Sequence, residues 1–205
     1  MNTQAKGKRS GERSAGAPPD EAVLHEAALS YLARFATTQA RLRQVLGRRI
    51  ARWARVAERE GMAAEARADA VRQSWQAVER VVGRLVESGL VNDQAFAHTR
   101  AERLRRSGHS RAFVAAHLLV RGVDRETAKA AAVTDPEMEL AAAAVLARQR
   151  RFGPFRTGSG DAARLRRELG ALARAGFSED VSRRVLALSA EEAEALIARL
   201  KREAG

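Results

Sequence analysis

The chain of 205 residues combines many small side chains with a strongly basic charge balance. Lysine and arginine number 37 against 25 aspartates and glutamates, which gives a formal net charge of +12, and only four of these cations are lysines. Because 44 residues are alanine and 4% are aromatic, each helix buries little apolar area, at about 25 cal/mol per Å². The lack of cysteine excludes disulfides, thiolate metal sites and a cysteine nucleophile. We expect several thin helical cores and no large globular enzyme.

The first 91 residues are predicted to form a tail and three helices. Residues 1–19 are rich in Gly, Ser, Pro and charge without periodicity, which predicts a disordered basic tail. Apolar residues at helical spacing then predict three helices, and Gly61 is expected to end the second in a left-handed C-cap. The three apolar stripes are Leu24, Ala27, Ala28, Tyr31, Leu32 and Phe35; Leu42, Val45, Leu46, Ile50, Trp53 and Val56; and Val71, Trp75, Val78, Val82 and Leu85.

A pattern of Leu-x-x-x-Gly-apolar then occurs three times along the chain. The copies run from Leu85 to Leu90, from Leu118 to Val123 and from Leu172 to Phe177. Each glycine stands where a helix would end, and the apolar residue after it can fold back on the preceding turn, as in a Schellman cap. Polar helix starters follow each copy: Asn92 or Asp93, Asp124, and Ser178. Any helical protein has such caps, but three copies with matching flanks favour internal repetition.

These patterns divide the chain into three predicted helical repeats. The first, with lengthened helices, covers 20–91, the second covers 92–133, and the third covers 134–205 and includes a C-terminal helix from Glu191 to Arg202. No window alternates with a period of two over the length of a strand, so the fold class is predicted to be all-α. Trihelical units stacked in series would form an elongated, curved right-handed or rod-like array.

The sequence carries no motif for catalysis, a cofactor or a metal. There is no phosphate-binding loop, and the glycines punctuate helices without forming a dinucleotide fingerprint. The four histidines are scattered; His109 and His117 can approach each other across a turn, but no carboxylate completes a ligand set. We therefore predict no enzyme activity, no cofactor and no metal. A catalytic site that one sequence does not reveal is the alternative left open.

Location and partner class follow from hydropathy and charge. No stretch reaches the roughly 18 apolar residues of a membrane span, and the first twenty residues lack the apolar segment of a secretory signal. We expect a cytoplasmic protein without membrane contact. The pI of about 11.4 predicts an acidic partner, either nucleic acid or an acidic protein surface. Richness in both Ala and Arg also arises from genome composition alone, which is a second explanation of the charge.

Clusters of arginine point to a binding function. Some have acidic neighbours four residues away, as on an ordinary solvated helix, but the clusters at 100–111 and 148–167 have few. The candidate binding residues are Arg41, Arg48, Arg52, Arg100, Arg103, Arg105, Arg106, Arg111, Arg148, Arg150, Arg151, Arg164, Arg167 and Arg174. Guanidinium groups bind carboxylates and phosphates alike, so the pattern does not choose between a protein groove and a nucleic acid. With few aromatics and no recognition helix, DNA binding would be weak, non-specific and salt-dependent.

The stretch from Leu85 to Ala132, LVESGLVNDQAFAHTRAERLRRSGHSRAFVAAHLLVRGVDRETAKAAA, resembles the bacterial RecX family. The shared pattern is L-x-x-x-G-hydrophobic-x-[DN]-[DE]-x-x-[FY]-A, a basic helix, a Gly-rich turn, and L-x-x-x-G-[IV]. The segments ALSYLARFATTQARLRQVLGRR and LARAGFSEDVSRRVL resemble the first and third repeats of that family, so the resemblance covers roughly residues 22–188. In the family the second helix usually ends soon after the residue matching Arg49, whereas here it is predicted to continue to about Glu60.

The resemblance implies three tandem trihelical repeats in a curved basic rod. It implies a monomer that binds the groove of the RecA–single-stranded DNA filament, limits filament extension, and damps ATP hydrolysis and strand exchange. Roles in DNA repair, homologous recombination and the SOS response would follow. The arginine clusters would then supply many weak charge contacts that add up through multivalency. A stand-alone DNA-binding or architectural protein, contacting the phosphate backbone of single- or double-stranded DNA, is the alternative function.

Overall fold

The computed structural model describes residues 15–158 and 161–202. Regular structure in these ranges is helical, without a strand, which confirms the predicted all-α class. The ten α-helices of this part of the chain are α1 (Glu21–Leu32), α2 (Gln39–Arg59), α3 (Ala64–Glu87), α4 (Asp93–Arg106), α5 (Arg111–Val120), α6 (Arg125–Ala132), α7 (Pro136–Arg150), α8 (Ala162–Arg174), α9 (Glu179–Ala187) and α10 (Ala190–Arg202). None of these helices has both the length and the apolar character needed to cross a membrane.

Three separate hydrophobic clusters hold the helices together. The first is formed mainly by α1, α2 and α3, the second by α4, α5 and α6, and the third by α7 to α10. The described chain divides into two compact units: residues up to Phe35 with Leu42–Val91, and Ala36–Arg41 with the residues from Asn92 onward. The repeat boundaries at 92 and 134 stay a prediction.

Alanine makes the third cluster possible. Every residue of α7 from Glu139 to Ala147 is buried, and Ala141 to Ala144 form an uninterrupted run within it. Because an alanine side chain is a single methyl group, the backbones of α9 and α10 can approach α7 closely. The alanine content that limits apolar area per residue thus serves a central helix that is covered on all sides.

The ends of α2, α3, α4, α5 and α8 share one feature, a left-handed glycine. Gly122 and Gly176 have φ of +82° and +88°, and the N–H of the buried residue after each glycine bonds back to the helix, as predicted for a Schellman cap. The donor and acceptor pairs are Val123 N to Leu118 O at 3.1 Å and Phe177 N to Leu172 O at 3.2 Å. α4 closes in the same way at Gly108, where His109 N donates to Leu104 O. The sequence pattern missed this copy because a histidine follows its glycine. Gly61 (φ +83°) also ends α2 as predicted.

The first copy of the pattern contains one extra residue. Gly89 is left-handed with φ of +74°, but Val91, not the predicted Leu90, donates its N–H to Leu85 O at 3.0 Å. Val91 is 2% exposed, whereas Leu90 is 58% exposed. In each copy the buried apolar residue directly precedes the N-cap of the next helix, here Asn92. The N-cap therefore sets which residue turns inward, in the manner of a hydrophobic staple.

Polar side chains begin the helices at the predicted positions. Asn92 Oδ1 accepts from Ala95 N at 2.9 Å, and Asp124 Oδ1 accepts from Thr127 N at the same distance. Ser178 Oγ accepts from Val181 N at 3.3 Å. Each bond satisfies an N–H that the first turn of a helix leaves without a partner.

In the second unit, each of two hydroxyl groups caps the start of one helix and also donates a hydrogen bond to a carbonyl at the end of another helix. Thr38 Oγ1, directly before α2, donates to Arg121 O at the end of α5 at 2.7 Å. Ser110 Oγ, directly before α5, donates to Ala175 O at the end of α8, also at 2.7 Å. Each hydroxyl also accepts an N–H of its own helix: Arg41 N at 3.1 Å for Thr38, and Phe113 N at 3.2 Å for Ser110. The two contacts use the same groups in the same order.

The glycines after these carbonyls are required for space as well as for backbone conformation. A Cβ on Gly122 would lie 2.4 Å from the Cβ of Ala40, and a Cβ on Gly176 would lie 2.6 Å from Oγ of Ser110. Any larger residue would push the capped helix away from the carbonyl that its hydroxyl binds.

Carboxylates complete both contacts. Asp93 Oδ1 accepts from Gln39 N, next to Thr38, at 2.9 Å. Both oxygens of Glu139 accept from Arg111 N, next to Ser110, at 3.1 Å each. Glu139 is 5% exposed; burial raises the pKa of its carboxyl, and the bond from Arg111 opposes that rise.

Residues 15–19 correct the prediction of a disordered tail over 1–19. Gly16 O accepts from Nε1 of the buried Trp53 at 3.2 Å, and Pro19 O accepts from Oγ of the buried Ser74 at 2.8 Å. Ala15 N donates to Oε1 of Glu60 at 3.0 Å. These bonds give buried polar groups their partners, so the segment is part of the first unit. The rest of the predicted tail, 1–14, lies outside the described residues.

Two predicted core residues are exposed. Phe35 lies beyond the end of α1 and is 50% exposed. Trp75 is 40% exposed, and its ring covers Gly47, where an added Cβ would lie 2.5 Å from the indole. Ser74 is buried in its place because its hydroxyl has a carbonyl partner, which spacing alone does not reveal. The two helices that were predicted to be lengthened are long: α2 has 21 residues and α3 has 24.

Two truncations test the docking of residues 15–19. A chain beginning at residue 20 loses the acceptors of Trp53 and Ser74, whereas a chain beginning at residue 15 keeps them. An unsatisfied buried polar group costs about 1–3 kcal/mol, and each kcal/mol corresponds to about 2–4 °C in a chain of this size. We expect the shorter chain to melt at least about 4 °C below the longer one, measured by circular dichroism. Equal melting temperatures would show that these bonds add no stability.

Ser110→Ala, compared with Ser178→Ala, tests the double role of Ser110. Both serines cap a helix, but the hydroxyl of Ser178 makes no further bond to a described residue, whereas that of Ser110 also binds Ala175 O. Loss of a cap costs about 1 kcal/mol, and an orphaned buried carbonyl adds about 1 kcal/mol or more. We expect urea unfolding to show Ser110→Ala as the more destabilised variant. Equal losses would reduce Ser110 to an ordinary cap.

Candidate binding clefts

A cleft of about 380 Å³ between α1 and α2 is the first candidate site. We call it the α1–α2 cleft. Four arginines line it: Arg34, Arg48, Arg49 and Arg52. Its floor is apolar, with the half-buried Val45 and the buried Leu46. Because Arg34 follows the end of α1 and the other three arginines lie on α2, several guanidinium groups are brought to one small space above the apolar floor.

The cations of the α1–α2 cleft are poorly neutralised. The unit's acids that form ion pairs are engaged elsewhere: Glu21 with Arg80 and Arg84, Glu58 with Arg67, Asp69 with Arg72, and Glu79 with Arg43. Within the described chain, Arg48, Arg49 and Arg52 form no ion pair, and Glu26 is the carboxylate that lines the cleft. The cleft therefore carries an excess of positive charge toward an acidic ligand.

Arg41 does not belong to this cleft. Of the three predicted binding residues on α2, Arg48 and Arg52 line the cleft. The half-buried Arg41 belongs to the second unit, where its N–H binds Thr38. Arg49, absent from the predicted set, lines the cleft with them.

A second cluster on α4 and α5 combines cations with stacked rings. Arg100 Nε donates to Nε2 of His117 at 3.1 Å, which leaves this imidazole neutral with its proton on Nδ1. The ring of Phe113 stacks on His109, with centroids 4.1 Å apart, and on His117, with centroids 6.0 Å apart. Burial, then the charges of Arg121 and Arg103, lower the pKa of Arg100. We call this group the α4–α5 cluster.

Sequence reasoning missed Arg121 and misplaced Arg105. Arg121 was treated only as the residue before a helix-ending glycine, yet its charge lies close to Arg100. Arg105 directs its guanidinium at the end of α6, where Nη2 donates to Ala131 O and, at 3.3 Å, to Val133 O. Its Nε is buried without a partner, and burial lowers its pKa. Arg105 is thus a structural residue that closes α6 and not a surface cation.

The remaining candidates of the predicted 100–111 cluster have mixed exposure. Arg103 and Arg111 are exposed, whereas Arg106 is half-buried. The backbone N–H of Arg111 is bound by Glu139, which leaves its side chain at the surface.

A third site lies between the end of α7 and the start of α8. This α7–α8 cleft has a volume of about 440 Å³ and is lined by Arg150, Arg151, Arg164 and Arg167, with Phe152, Thr157 and Glu168. All four arginines are among the predicted binding residues. They form two pairs that lie thirteen or more positions apart, and the turn through Gly153–Phe155 brings the pairs together.

Glu168 forms ion pairs with two arginines. It is 2% exposed and accepts from Arg156 Nε at 3.1 Å, from Arg164 Nε at 3.2 Å and from Gly153 N at 3.2 Å. Burial pushes the pKa of this carboxyl upward, but the bonds from Arg156 and Gly153 outweigh burial and lower it. Arg150, Arg151 and Arg167 form no ion pair with any acid in the described ranges.

The backbone of Arg151 is in the left-handed region, with φ of +56°. Phe152 N donates to Ala147 O at 2.8 Å, so α7 closes with the same Schellman bond as α4, α5 and α8. For a residue with a Cβ, this left-handed conformation costs about 1 kcal/mol of conformational free energy. Glycine occupies the equivalent position at the other closures described above.

Two predicted residues of this region lie outside the cleft. Arg148 Nη1 pairs with Oε2 of Glu194 at 2.9 Å, a partner 46 residues away that local spacing does not reveal. Arg174 is exposed in the last turn of α8.

Comparisons with known proteins identify relatives over most of the chain. A family model described as "RecX, second three-helix domain" matches residues 92–131. The chain is 42% identical over 166 residues to "Regulatory protein RecX" of Myxococcus xanthus (strain DK1622), covering 80% of this chain and 83% of that protein. It is 39% identical over 107 residues to "Regulatory protein RecX" of Agrobacterium fabrum (strain C58), covering 52% and 57%.

A solved structure supports the same fold. The crystal structure of RecX from Lactobacillus salivarius matches with a TM-score of 0.59 at 14% identity, covering 85% of this chain and 97% of that one. At this identity the likeness concerns the fold alone.

The two histidines of the α4–α5 cluster predict a pH dependence. Burial, followed by the charge of Arg100, lowers the pKa of His109 and of His117 below the ordinary 6.5. The two histidines therefore bind protons at a higher pH in the unfolded chain than in the folded chain. Their contribution to the free energy of unfolding is fully present above pH 6.5 and is lost as the pH falls through their pKa values in the folded chain. We expect the melting temperature to fall from pH 7 to pH 5, and His109→Gln with His117→Gln to reduce the fall. An unchanged slope would contradict this, and His98→Gln, exposed on α4, is the control.

Proposed function

The chain belongs to the RecX family, and on this premise we propose that it regulates the RecA recombinase. It binds the RecA–single-stranded DNA filament and inhibits filament extension, ATP hydrolysis and strand exchange. Identity of 42% with a regulatory protein over 83% of that protein's length supports the premise. The protein acts in the cytoplasm as a monomer, without catalysis of its own, in homologous recombination and DNA repair.

Unpaired arginines are the observation that carries the proposal. The α1–α2 cleft, the α4–α5 cluster and the α7–α8 cleft each hold cations that no described acid neutralises. The proposed contact residues are Arg48, Arg49, Arg52, Arg100, Arg103, Arg121, Arg150, Arg151 and Arg167. Arg105 is excluded because its donors bind carbonyls within the chain, and Arg148 because it has a carboxylate partner.

Many weak contacts explain tight binding to a repeating partner. One exposed ion pair contributes only about 0.2–1 kcal/mol. A chain that carries several basic surfaces converts each later contact into an intramolecular event, so the free energies add. A filament offers the same acidic groups at regular intervals, whereas an isolated RecA protomer offers each group once. Preference for the filament follows from this arithmetic.

Single-stranded-DNA-dependent ATP hydrolysis by RecA from the same organism tests the proposal directly. We expect inhibition at a small fraction of one molecule per RecA, because one bound molecule blocks extension of a whole filament. Inhibition only at amounts that coat the DNA, abolished by added salt, would favour a plain DNA-binding protein. No inhibition at any ratio would refute regulation of RecA by this route.

A matched pair of variants assigns the effect to the α1–α2 cleft. Arg48→Gln with Arg52→Gln removes two unpaired cations from the cleft, whereas Arg80→Gln with Arg84→Gln removes two that pair with Glu21. Both variants lower the net charge by two. Two contacts of roughly 0.5–1 kcal/mol each correspond to about tenfold weaker binding. We expect that shift in the half-inhibiting concentration for the cleft variant alone; equal shifts would leave only net charge as the cause.

A further inference from the structure

Arg151 differs from the other residues that close a helix of the described chain in the left-handed conformation. Each of α2, α3, α4, α5 and α8 closes on a left-handed glycine. These glycines are Gly61, Gly89, Gly108, Gly122 and Gly176. α7 closes with the same backbone bond but places Arg151 in the left-handed position. Glycine would fit this backbone better, so the side chain must supply something that the helix end does not need.

The side chain of Arg151 lines the α7–α8 cleft together with Arg150 and Arg167. The carboxylate of Glu168 at its inner wall is already bound by Arg156, by Arg164 and by Gly153 N. Three guanidinium groups of this cleft therefore have no acidic partner among the described residues, and Thr157 beside them carries a hydroxyl. Such a cleft can bind one anion through several donors at once.

We propose that the α7–α8 cleft is a phosphate-binding site and that Arg151 is kept there for binding, against the preference of the helix end. Three forked guanidinium groups present more donors than one carboxylate accepts, whereas a phosphate offers up to four oxygens around a tetrahedral centre. A cleft of about 440 Å³ holds a nucleotide-sized group. The phosphate comes either from a free nucleotide or from a nucleic-acid strand.

This inference deepens the proposed function, because the cleft is part of the proposed RecA-filament surface. Its test contains no RecA, so either proposal can fail while the other stands. A phosphate site without RecA inhibition, or RecA inhibition without a phosphate site, would each be a clear result.

Arg151→Gly is the decisive variant because the two readouts should move in opposite directions. Removal of the Cβ relieves the left-handed backbone, so we expect the melting temperature to rise by about 2 °C. Removal of the guanidinium weakens binding of pyrophosphate, measured by isothermal titration calorimetry, by about tenfold. Arg167→Gln should weaken binding similarly without the rise in melting temperature. Arg151→Lys, which keeps the charge and loses the fork, should bind with intermediate affinity.

Three probes separate the sources of the ligand. Pyrophosphate and ATP report a free phosphate, and a single-stranded oligonucleotide without terminal phosphates reports the phosphodiester backbone. Arg151-dependent binding of either class supports the site and names its source. Preference for a hexaglutamate peptide over all three probes would overturn the proposal in favour of an acidic protein segment.

Arg166→Gln is the control for charge. Arg166 is exposed on α8, its Nε donates to Ala162 O, and it does not line the cleft. We expect its affinity for pyrophosphate to equal that of the unaltered chain. An equal loss in Arg166→Gln and Arg151→Gly would show that only net charge matters. A lower melting temperature for Arg151→Gly would show that Arg151 stabilises the helix end, and the proposal would fail.

Discussion

The left-handed residue that closes α2, α3, α4, α5, α7 and α8 is the constraint on which this structure depends. It turns the chain so that a following N–H reaches the carbonyl five positions back, or six at α3, and at each of these closures except that of α7 the next α-helix begins two residues after that N–H. Such short connections keep the thin, alanine-rich helices in contact. At Gly122 and Gly176 the missing Cβ has a second effect, since it admits the hydroxyl-capped start of another helix to the carbonyl just before the glycine. The same left-handed glycine thus ends one helix and allows the start of another helix to pack against that end.

The short connections and thin helices also affect which side chains cover the surface. Helices with narrow apolar stripes leave most of their surface to polar side chains, and in this chain those are chiefly arginines. Two of the acids, Glu21 and Glu168, each pair with two arginines, so they do not neutralise further cations. Arginines without an acidic partner among the described residues line the α1–α2 and α7–α8 clefts. The binding surfaces therefore follow from how the helices are joined as much as from the excess of arginine.

Local signals in the sequence were sufficient for the helix class, the N-caps and most glycine closures, because each depends on residues within one turn. Long-range partners were invisible. Arg105 binds the end of α6, Arg148 binds Glu194, and the carbonyls of residues 16 and 19 serve Trp53 and Ser74. Spacing predicted Trp75 in the core for the same reason: nothing near Ser74 in sequence shows that its hydroxyl has a buried acceptor. The four arginines of the α7–α8 cleft were found because they are close in sequence to the turn that unites them.

Genome composition is the simplest explanation of an arginine-rich chain, and one position argues against it as a complete account. Codons rich in G and C encode glycine as readily as arginine, so a compositional bias gives no reason to prefer arginine where the backbone favours glycine. At the closures of α2, α3, α4, α5 and α8 the backbone preference decides, and glycine stands there. At the closure of α7 the same bias and the same backbone meet Arg151, whose side chain lines a cleft. On the proposed phosphate site, the cleft and not the composition accounts for the arginine.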